Sequence, residues 1–231
     1  MNERRQAAAH VFVADLTQPV LSEEDMYHLS KVLRLRGGEV VSVSDGRGSW
    51  RMCQYRQSTI LDIEASEIRE APQQSRELTV AFAVTKGDKP DLVVQKLTEL
   101  GIEHIVPLIT ERCIVRWDED KGSKNQIRWQ KIAREAAMQS RSVTIPQVHK
   151  VFLSLEAFVA SRGPNVAFAE PGGQSIDSAI SVIVIGPEGG FTHQELALSQ
   201  QRVSLPGGIL RSETAAVAAA VLMSQQRVQH G

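Results

Sequence analysis

Cysteine is nearly absent from this chain: Cys53 and Cys113 are the only two in 231 residues. Neither a disulfide framework nor a cysteine-rich metal site is expected from that count. No His, Cys and Asp residues recur at ligand spacing either, so no metal is expected. Long apolar runs are missing too. None approaches the roughly 18 residues needed to cross a bilayer. The short apolar stretch near the N-terminus is interrupted by His10 and Asp15, unlike the core of a secretory signal. These absences lead to the expectation of a cytoplasmic protein with no membrane partner.

A strong net charge is lacking as well, at −1 overall. Split along the chain, residues 1–72 carry 9 basic and 11 acidic side chains, 73–110 carry 4 and 5, 111–150 carry 9 and 5, and 151–231 carry 4 and 6. Only the third segment is positive. A local patch suits a protein that meets one structured polyanion and releases it, although a solvated helix face explains the same numbers.

Two stretches differ in pattern. Within residues 1–72, Ser22 with Asp25 reads as a helix start, and Met26, Leu29, Val32 and Leu33 share one helical face up to Gly37. Val41 and Val43 alternate with serines, Asp45-Gly46 signals a turn, and Ile60, Asp62, Ile63 and Glu64 read as a last strand. The polar run Ala71-Pro72-Gln73-Gln74-Ser75-Arg76 is the natural linker, giving domains 1–72 and 73–231. Beyond it, apolar strands at 78–84, 105–109, 166–169, 182–185 and 203–205 alternate with helical patterns, among them 126–140 and a final one from Ser212 or Glu213 to about Arg227. That alternation predicts an α/β domain with a mostly parallel sheet covered on both faces. Thr192 with Glu195 reads as a capping box.

Two glycine-rich loops stand out in the last fifty residues. Val182-Ile183-Val184-Ile185 runs into Gly186-Pro187-Glu188-Gly189-Gly190, and Val203-Ser204-Leu205 runs into Pro206-Gly207-Gly208-Ile209-Leu210-Arg211. Each closes a strand and opens a helix, so together they describe one ligand cradle at adjacent strand ends. Neither ends in Gly-Lys-Ser/Thr and neither is G-x-G-x-x-G. Pro187 also removes a backbone donor that a diphosphate would need. A ligand held by backbone groups and close packing, without a phosphate, fits better. S-adenosylmethionine is such a ligand.

These loops, with Ile209-Leu210-Arg211-Ser212-Glu213-Thr214-Ala215, resemble the SPOUT superfamily of methyltransferases. Within it the chain is similar to the ribosomal small-subunit methyltransferase E family. The likeness also runs through His28-Leu29-Ser30-Lys31-Val32-Leu33-Arg34, Gln95-Lys96-Leu97-Thr98-Glu99-Leu100-Gly101, Pro107-Leu108-Ile109-Thr110-Glu111-Arg112 and Glu135-Ala136-Ala137-Met138-Gln139-Ser140-Arg141. Departures are Pro206, where the family usually has a glycine, and Met138, where an acidic residue is common. The resemblance implies a C-terminal α/β trefoil-knot domain, a small N-terminal PUA-like β-barrel that binds RNA, and a homodimer. It implies transfer of a methyl group from S-adenosylmethionine to N3 of a uridine in 16S ribosomal RNA of the small ribosomal subunit.

On that reading Ala169, Glu170, Gly186, Pro187, Glu188, Gly189, Gly190, Leu205, Gly207, Ile209 and Leu210 are expected to hold the cofactor. Lys31, Arg34, Arg36, Arg112, Arg116 and Arg141 are expected to meet RNA phosphates. Arg211 is expected to stabilise charge on a uracil oxygen, and Glu213 or Glu170 to take the N3 proton. Alternatively, Arg211 caps backbone carbonyls, Glu213 complements a helix start, and Glu188 braces its loop. Two other functions compete: a non-catalytic RNA-binding or ribosome-assembly factor on the same fold, and an enzyme with another nucleotide ligand. Intact glycine clusters disfavour the first, and missing phosphate motifs the second.

Overall fold

The computed structural model describes residues 3–63, 66–72, 74, 76–163 and 165–230, the side chains of 228–230 excepted. It divides into two compact units: Met1–Gln73 with Glu135–Ile145, and Gln74–Arg134 with Pro146–Gly231. A segment from the middle of the chain thus completes the first unit, which a linear reading of composition does not anticipate.

The first unit opens with a one-turn helix, α1 (Glu3–Gln6), and a strand, β1 (Ala9–Phe12). Ser22 accepts from the N–H of Asp25 at 3.1 Å and starts α2 (Glu23–Tyr27). The winding then widens to a π-helix over His28–Val32, with the Leu33 N–H donating to the His28 carbonyl. Leu29 stays buried, but the wider turn leaves Val32 and Leu33 57% and 41% exposed, off the shared face expected for them. Arg34, at a left-handed φ of 55°, ends the helix ahead of Gly37.

Next come β2 (Val40–Ser44), β3 (Ser49–Gln54) and β4 (Arg69–Glu70), in the sheet order β1-β2-β3-β4. β1 runs parallel to β2, and the other pairs are antiparallel. Asp45 Oδ1 accepts from the N–H groups of Arg47 and Ser49 at 2.8 and 3.1 Å and so makes the hairpin between β2 and β3. The expected barrel is corrected here. Among the described residues β1 and β4 each have one neighbour, so the sheet is open. The stretch expected to add a last strand makes only isolated bridges, Val20 with Ile60 and Gln54 with Asp62, and Glu64 lies outside the described residues. Ser42 and Ser44 are buried along with Val41 and Val43. An alternating strand ordinarily turns its polar face to water. Here Ser44 donates to the Val143 carbonyl at 2.7 Å and Ser42 meets His10 Nδ1 at 2.8 Å, so the polar face is covered yet hydrogen-bonded.

The second unit is a six-stranded sheet, entirely parallel, in the order β10-β8-β9-β5-β6-β7. Its strands are β5 (Thr79–Ala83), β6 (His104–Leu108), β7 (Gln147–Val148), β8 (Val166–Gln174), β9 (Val182–Ile185) and β10 (Gln201–Val203). The helices are α3 (Lys89–Glu99), α4 (Glu119–Ser140), α5 (Leu155–Arg162), α6 (His193–Ala197) and α7 (Ser212–His230). All of β5 is buried, as are Ile183, Val184 and Ile185 of β9. Such continuous apolar runs are what a parallel sheet packed on both faces requires. The capping box holds: Thr192 and Glu195 exchange bonds at 3.2 and 2.8 Å, and the buried Glu195 also accepts from the N–H of Glu111. Trp129 is fully buried and donates its indole N–H to Asp91 at 2.8 Å, which avoids the roughly 1–3 kcal/mol cost of an unmet buried donor.

Candidate functional site

In a parallel sheet every strand ends on the same edge, where backbone groups are not yet committed to a ladder. Here the adjacent strands β10, β8 and β9 each run into a proline-and-glycine loop on that edge. Two are the loops read from the sequence, 186–190 and 205–210. The third was missed: Arg202 pairs with Phe168 but the next residue, Val203, pairs with Gln174. Residues 169–173 (Ala-Glu-Pro-Gly-Gly) therefore loop out of β8 and return to it. A β-carbon on Gly173 would lie 2.6 Å from the backbone of Val203, so only glycine lets the excursion close against β10. The signal was available, because Gly172-Gly173 is a third glycine pair after an apolar run.

The excursion carries Ala169 and Glu170. Burial holds the Glu170 carboxyl above its ordinary value, with Arg202 opposing. Across the edge, Gly207 sits at φ 100°, a conformation that suits glycine, and its neighbour Ile209 is 97% exposed. Leu205 and Leu210 are half-buried against the core.

Three charged side chains from three elements meet beside these loops. Lys89, at the start of α3, reaches Glu188 Oε1 at 3.1 Å and Glu213 Oε1 at 3.5 Å. Glu188 lies in the loop after β9, and Glu213 in the first turn of α7. A lysine in the first turn of a helix opposes the helix dipole; two carboxylates offset that here. Lys89 was not singled out from the sequence, though this misplacement of charge was the clue. The hydrogen bond to Glu188 holds the Lys89 ammonium above its ordinary value. The Glu188 carboxyl is held low by its own backbone N–H first, and also by Lys89 and Arg211. Glu213 Oε2 is buried with no hydrogen-bond partner among the described residues. A buried carboxylate oxygen without a donor is a costly state unless a ligand supplies one.

The expected phosphate-binding residues divide. In the first unit Lys31, Arg34 and Arg36 are exposed. Arg141 instead turns onto the carbonyls of Arg4 and Ala7. In the second unit Arg116 holds the carbonyls of Cys113, Val115 and Glu111, and Arg112 donates to the Gly189 carbonyl at 2.8 Å, bracing the glycine loop. Arg211 is exposed, and its backbone carbonyl accepts from the N–H of Ala215 at 2.8 Å to start α7. Among the described residues no group of three His, Cys, Asp or Glu side chains could hold a metal ion, and no helix is long and apolar enough to cross a membrane.

Residues 72–224 match the family model of the RNA methyltransferase domain. The chain is 31% identical to a ribosomal RNA small subunit methyltransferase E of Bacillus subtilis, with 89% of each chain covered. It is 33% identical to the protein of that name from a Synechocystis strain, over 84% of this chain and 69% of the relative. Among solved structures, a methyltransferase of Legionella pneumophila in complex with SAM superposes with a TM-score of 0.80 at 26% identity, covering 94% of this chain and 96% of that one. A ribosomal RNA small subunit methyltransferase E of Neisseria gonorrhoeae bound to S-adenosyl methionine gives 0.79 at 27% identity, with 94% and 97% covered.

Proposed function

This chain belongs to the RNA methyltransferase family, and from that membership we propose that it methylates N3 of a uridine in 16S ribosomal RNA of the small ribosomal subunit, using S-adenosylmethionine. The observation that carries the reading is the three glycine loops on adjacent strand ends, with Glu213 Oε2 buried and unmet beside them. The residues fit the cofactor. Ala169, Glu170, 186–190 and Leu205, Gly207, Ile209 and Leu210 would hold it: backbone N–H and C=O groups of short loops can read an adenine edge, the exposed Ile209 side chain offers apolar cover, and no charged phosphate cradle is present. When bound, the cofactor supplies an electrophilic methyl group on a sulfonium.

The chain's own residues would do the rest. Uracil N3 is an imide nitrogen that carries a proton and is a poor nucleophile until it loses it. Glu213 Oε2 is free to accept that proton, and Lys89 holds the opposite oxygen so that the carboxylate keeps its orientation. Glu170, raised by burial, is the second candidate acceptor. Arg211 would meet a uracil oxygen as negative charge builds there, an interaction that grows toward the transition state. Lys31, Arg34 and Arg36 would add RNA affinity from the first unit, in the manner of a PUA-like module. The remaining family features belong to the same proposal: a trefoil knot around α7, a homodimer using the exposed Val221 and its neighbours Val217 and Leu222, and a cytoplasmic location with the ribosome.

Calorimetry should register one molecule of S-adenosylmethionine per chain, and Gly207→Val should abolish that binding. Mapping methylated nucleosides in 16S RNA from cells with and without the gene tests the target. An unchanged nucleoside map would refute the activity, and light scattering showing an active monomer would refute the dimer.

A further inference from the structure

The positive charge of the middle segment has an unexpected home. Arg112, Arg116 and Arg141 donate to backbone carbonyls, which commits part of their donor capacity to the fold without neutralising their charge. A further run of exposed positive charge lies on α4. Over residues 121–134, all in the second unit, the helix carries Lys121, Lys124, Arg128, Lys131 and Arg134 and no acidic residue. These positions follow one another at intervals of three or four, which places successive side chains about 5–6 Å apart along one helix face. Lys121, Lys124, Arg128 and Lys131 are all exposed. The opposite face is the one that buries Gly122, Trp129 and Ala133.

A solvated helix ordinarily intersperses signs along its exposed face, because like charges three or four residues apart repel. Between Lys121 and Arg134 every charged neighbour at that spacing is a cation. At the ends of the stripe Asp118 and Asp120 stand three and four residues before Lys121 and Lys124, and Glu135 four after Lys131. Carboxylates flank it at Asp118, Glu119, Asp120 and Glu135, and Asp91 of α3 pairs with Arg128 at 2.6 Å. That pair, with Asn125 at 3.1 Å on the same guanidinium, fixes the middle of the stripe. At one end Lys121 lies 5.5 Å from the ring centre of Trp117. Ile127, 69% exposed, interrupts the charges with an apolar side chain that water does not favour.

We propose that this face of α4 is an RNA-docking surface of the second unit, where Lys121, Lys124, Arg128 and Lys131 contact consecutive phosphates and Ile127 packs on a sugar or base. The inference rests on the RNA-substrate reading above but assigns a surface that the family motifs do not contain. Contacts of this kind position the nucleic acid without reading its sequence. Their strength comes from released counterions and so falls steeply with salt.

The test uses the full chain and a 16S ribosomal RNA transcript. RNA affinity is measured across a salt series for the wild type, for a triple variant Lys121→Gln, Lys124→Gln and Lys131→Gln, and for the triple variant with arginine at the same positions. Calorimetry with S-adenosylmethionine checks that each variant is folded. The glutamine variant should bind RNA more weakly, with a log–log salt slope shallower by about 2, since each single-strand phosphate contact contributes about 0.7. The arginine variant should keep the wild-type slope. A glutamine variant with wild-type affinity and slope overturns the surface while leaving the substrate reading intact. A wild type that binds the transcript with no salt dependence overturns both.

Discussion

Where its strands begin, the six-stranded sheet is tied together by side chains that reach across the sequence, with Gln201 Oε1 left unmet among the described residues at the start of β10; where they end, charged groups are grouped around the loops. At the first edge Glu103 accepts from the Leu78 N–H at 2.9 Å and from Arg227, whose other nitrogen reaches the Gly101 carbonyl, also at 2.9 Å. Ser224 donates to the Leu100 carbonyl, and Glu77, His104 and His149 form a chain with contacts of 2.8 and 3.1 Å. At the second edge Lys89 is divided between two carboxylates, Glu213 keeps a buried oxygen unmet, and Ile209 stands in solvent. Helix α7 joins the two, starting at the open edge with Ser212 and reaching the closed one at Ser224 and Arg227. Long-range ties fix a scaffold. Unmet groups leave valences for something that arrives later.

The comparison predicts that a change at the open edge damages function and one at the closed edge damages stability. The largest effect is expected for Arg211→Ala, which should lower turnover at saturating RNA about 10²- to 10³-fold, the scale for losing one donor to a developing charge. Cofactor and RNA affinity should stay near wild type in single-turnover kinetics. Normal turnover would make Arg211 structural.

Gly173→Ala breaks the rule deliberately, because it sits at the open edge yet closes on backbone. It should cost about 3 kcal/mol in denaturant titrations, the upper range for overpacking, and should abolish cofactor binding. Gly189→Ala is the matched control. Its added carbon would meet Arg112 Cβ at 3.4 Å, an ordinary contact, so folding should survive.

Arg227→Met at the closed edge should lose about 2 kcal/mol of stability, the scale of hydrogen bonds to charged groups. S-adenosylmethionine affinity should not change, and a lost cofactor site would blur the distinction between the edges.

The smallest effect concerns pH. The His149 imidazole is pushed down to about 4, by burial first and then by His104 and Arg162. The folded pKa lies below the unfolded one, so a full unit or more above the unfolded value, from about pH 7.5, the residue is neutral in both states and contributes no pH dependence. As pH falls from there toward 4, the unfolded chain takes up the proton first and stability is lost. The loss at pH 5.5 should be about 1 kcal/mol, after allowance for solvent at this half-exposed ring. His149→Gln should flatten that part of the stability–pH curve. The buried His10, also pushed down to about 4 by burial, should leave a residual slope of the same sign.

The apolar strands of the second unit were legible because a parallel sheet buried on both faces writes itself as unbroken runs such as 182–185. The Thr192–Glu195 cap was legible because its chemistry is local. What escaped depends on partners distant in sequence. The β8 excursion is defined by its return to β10, so a count of glycine loops found two and not three. Lys89 acquires meaning only beside Glu188 and Glu213, which lie far along the chain. Arg141 contributes to a local charge sum like any arginine, but a sum does not reveal that it reaches the distant carbonyls of Arg4 and Ala7. The alternation in β2 was legible, but nothing local announces that Val143 will reach Ser44. The glycine loops themselves were read from spacing, and their use as a cofactor cradle came from the family likeness.

Residues 135–145 give the first unit a place in the order of synthesis. Its core contains Ala137 and Met138, with Ile145 packed against it, and Ser44 finds its acceptor at Val143. A ribosome that has released only the first 73 residues has therefore made an unfinished object, in which Ser44 lacks its Val143 acceptor and the apolar face met by Ala137, Met138 and Ile145 is open. The second unit's first strands, β5 and β6, emerge before that face is closed. The first unit is thus expected to complete its core only after residues 74–134 of the second have been translated. A fragment of residues 1–73 should accordingly exchange its amide protons fast, and a fragment extended through residue 145 should protect them.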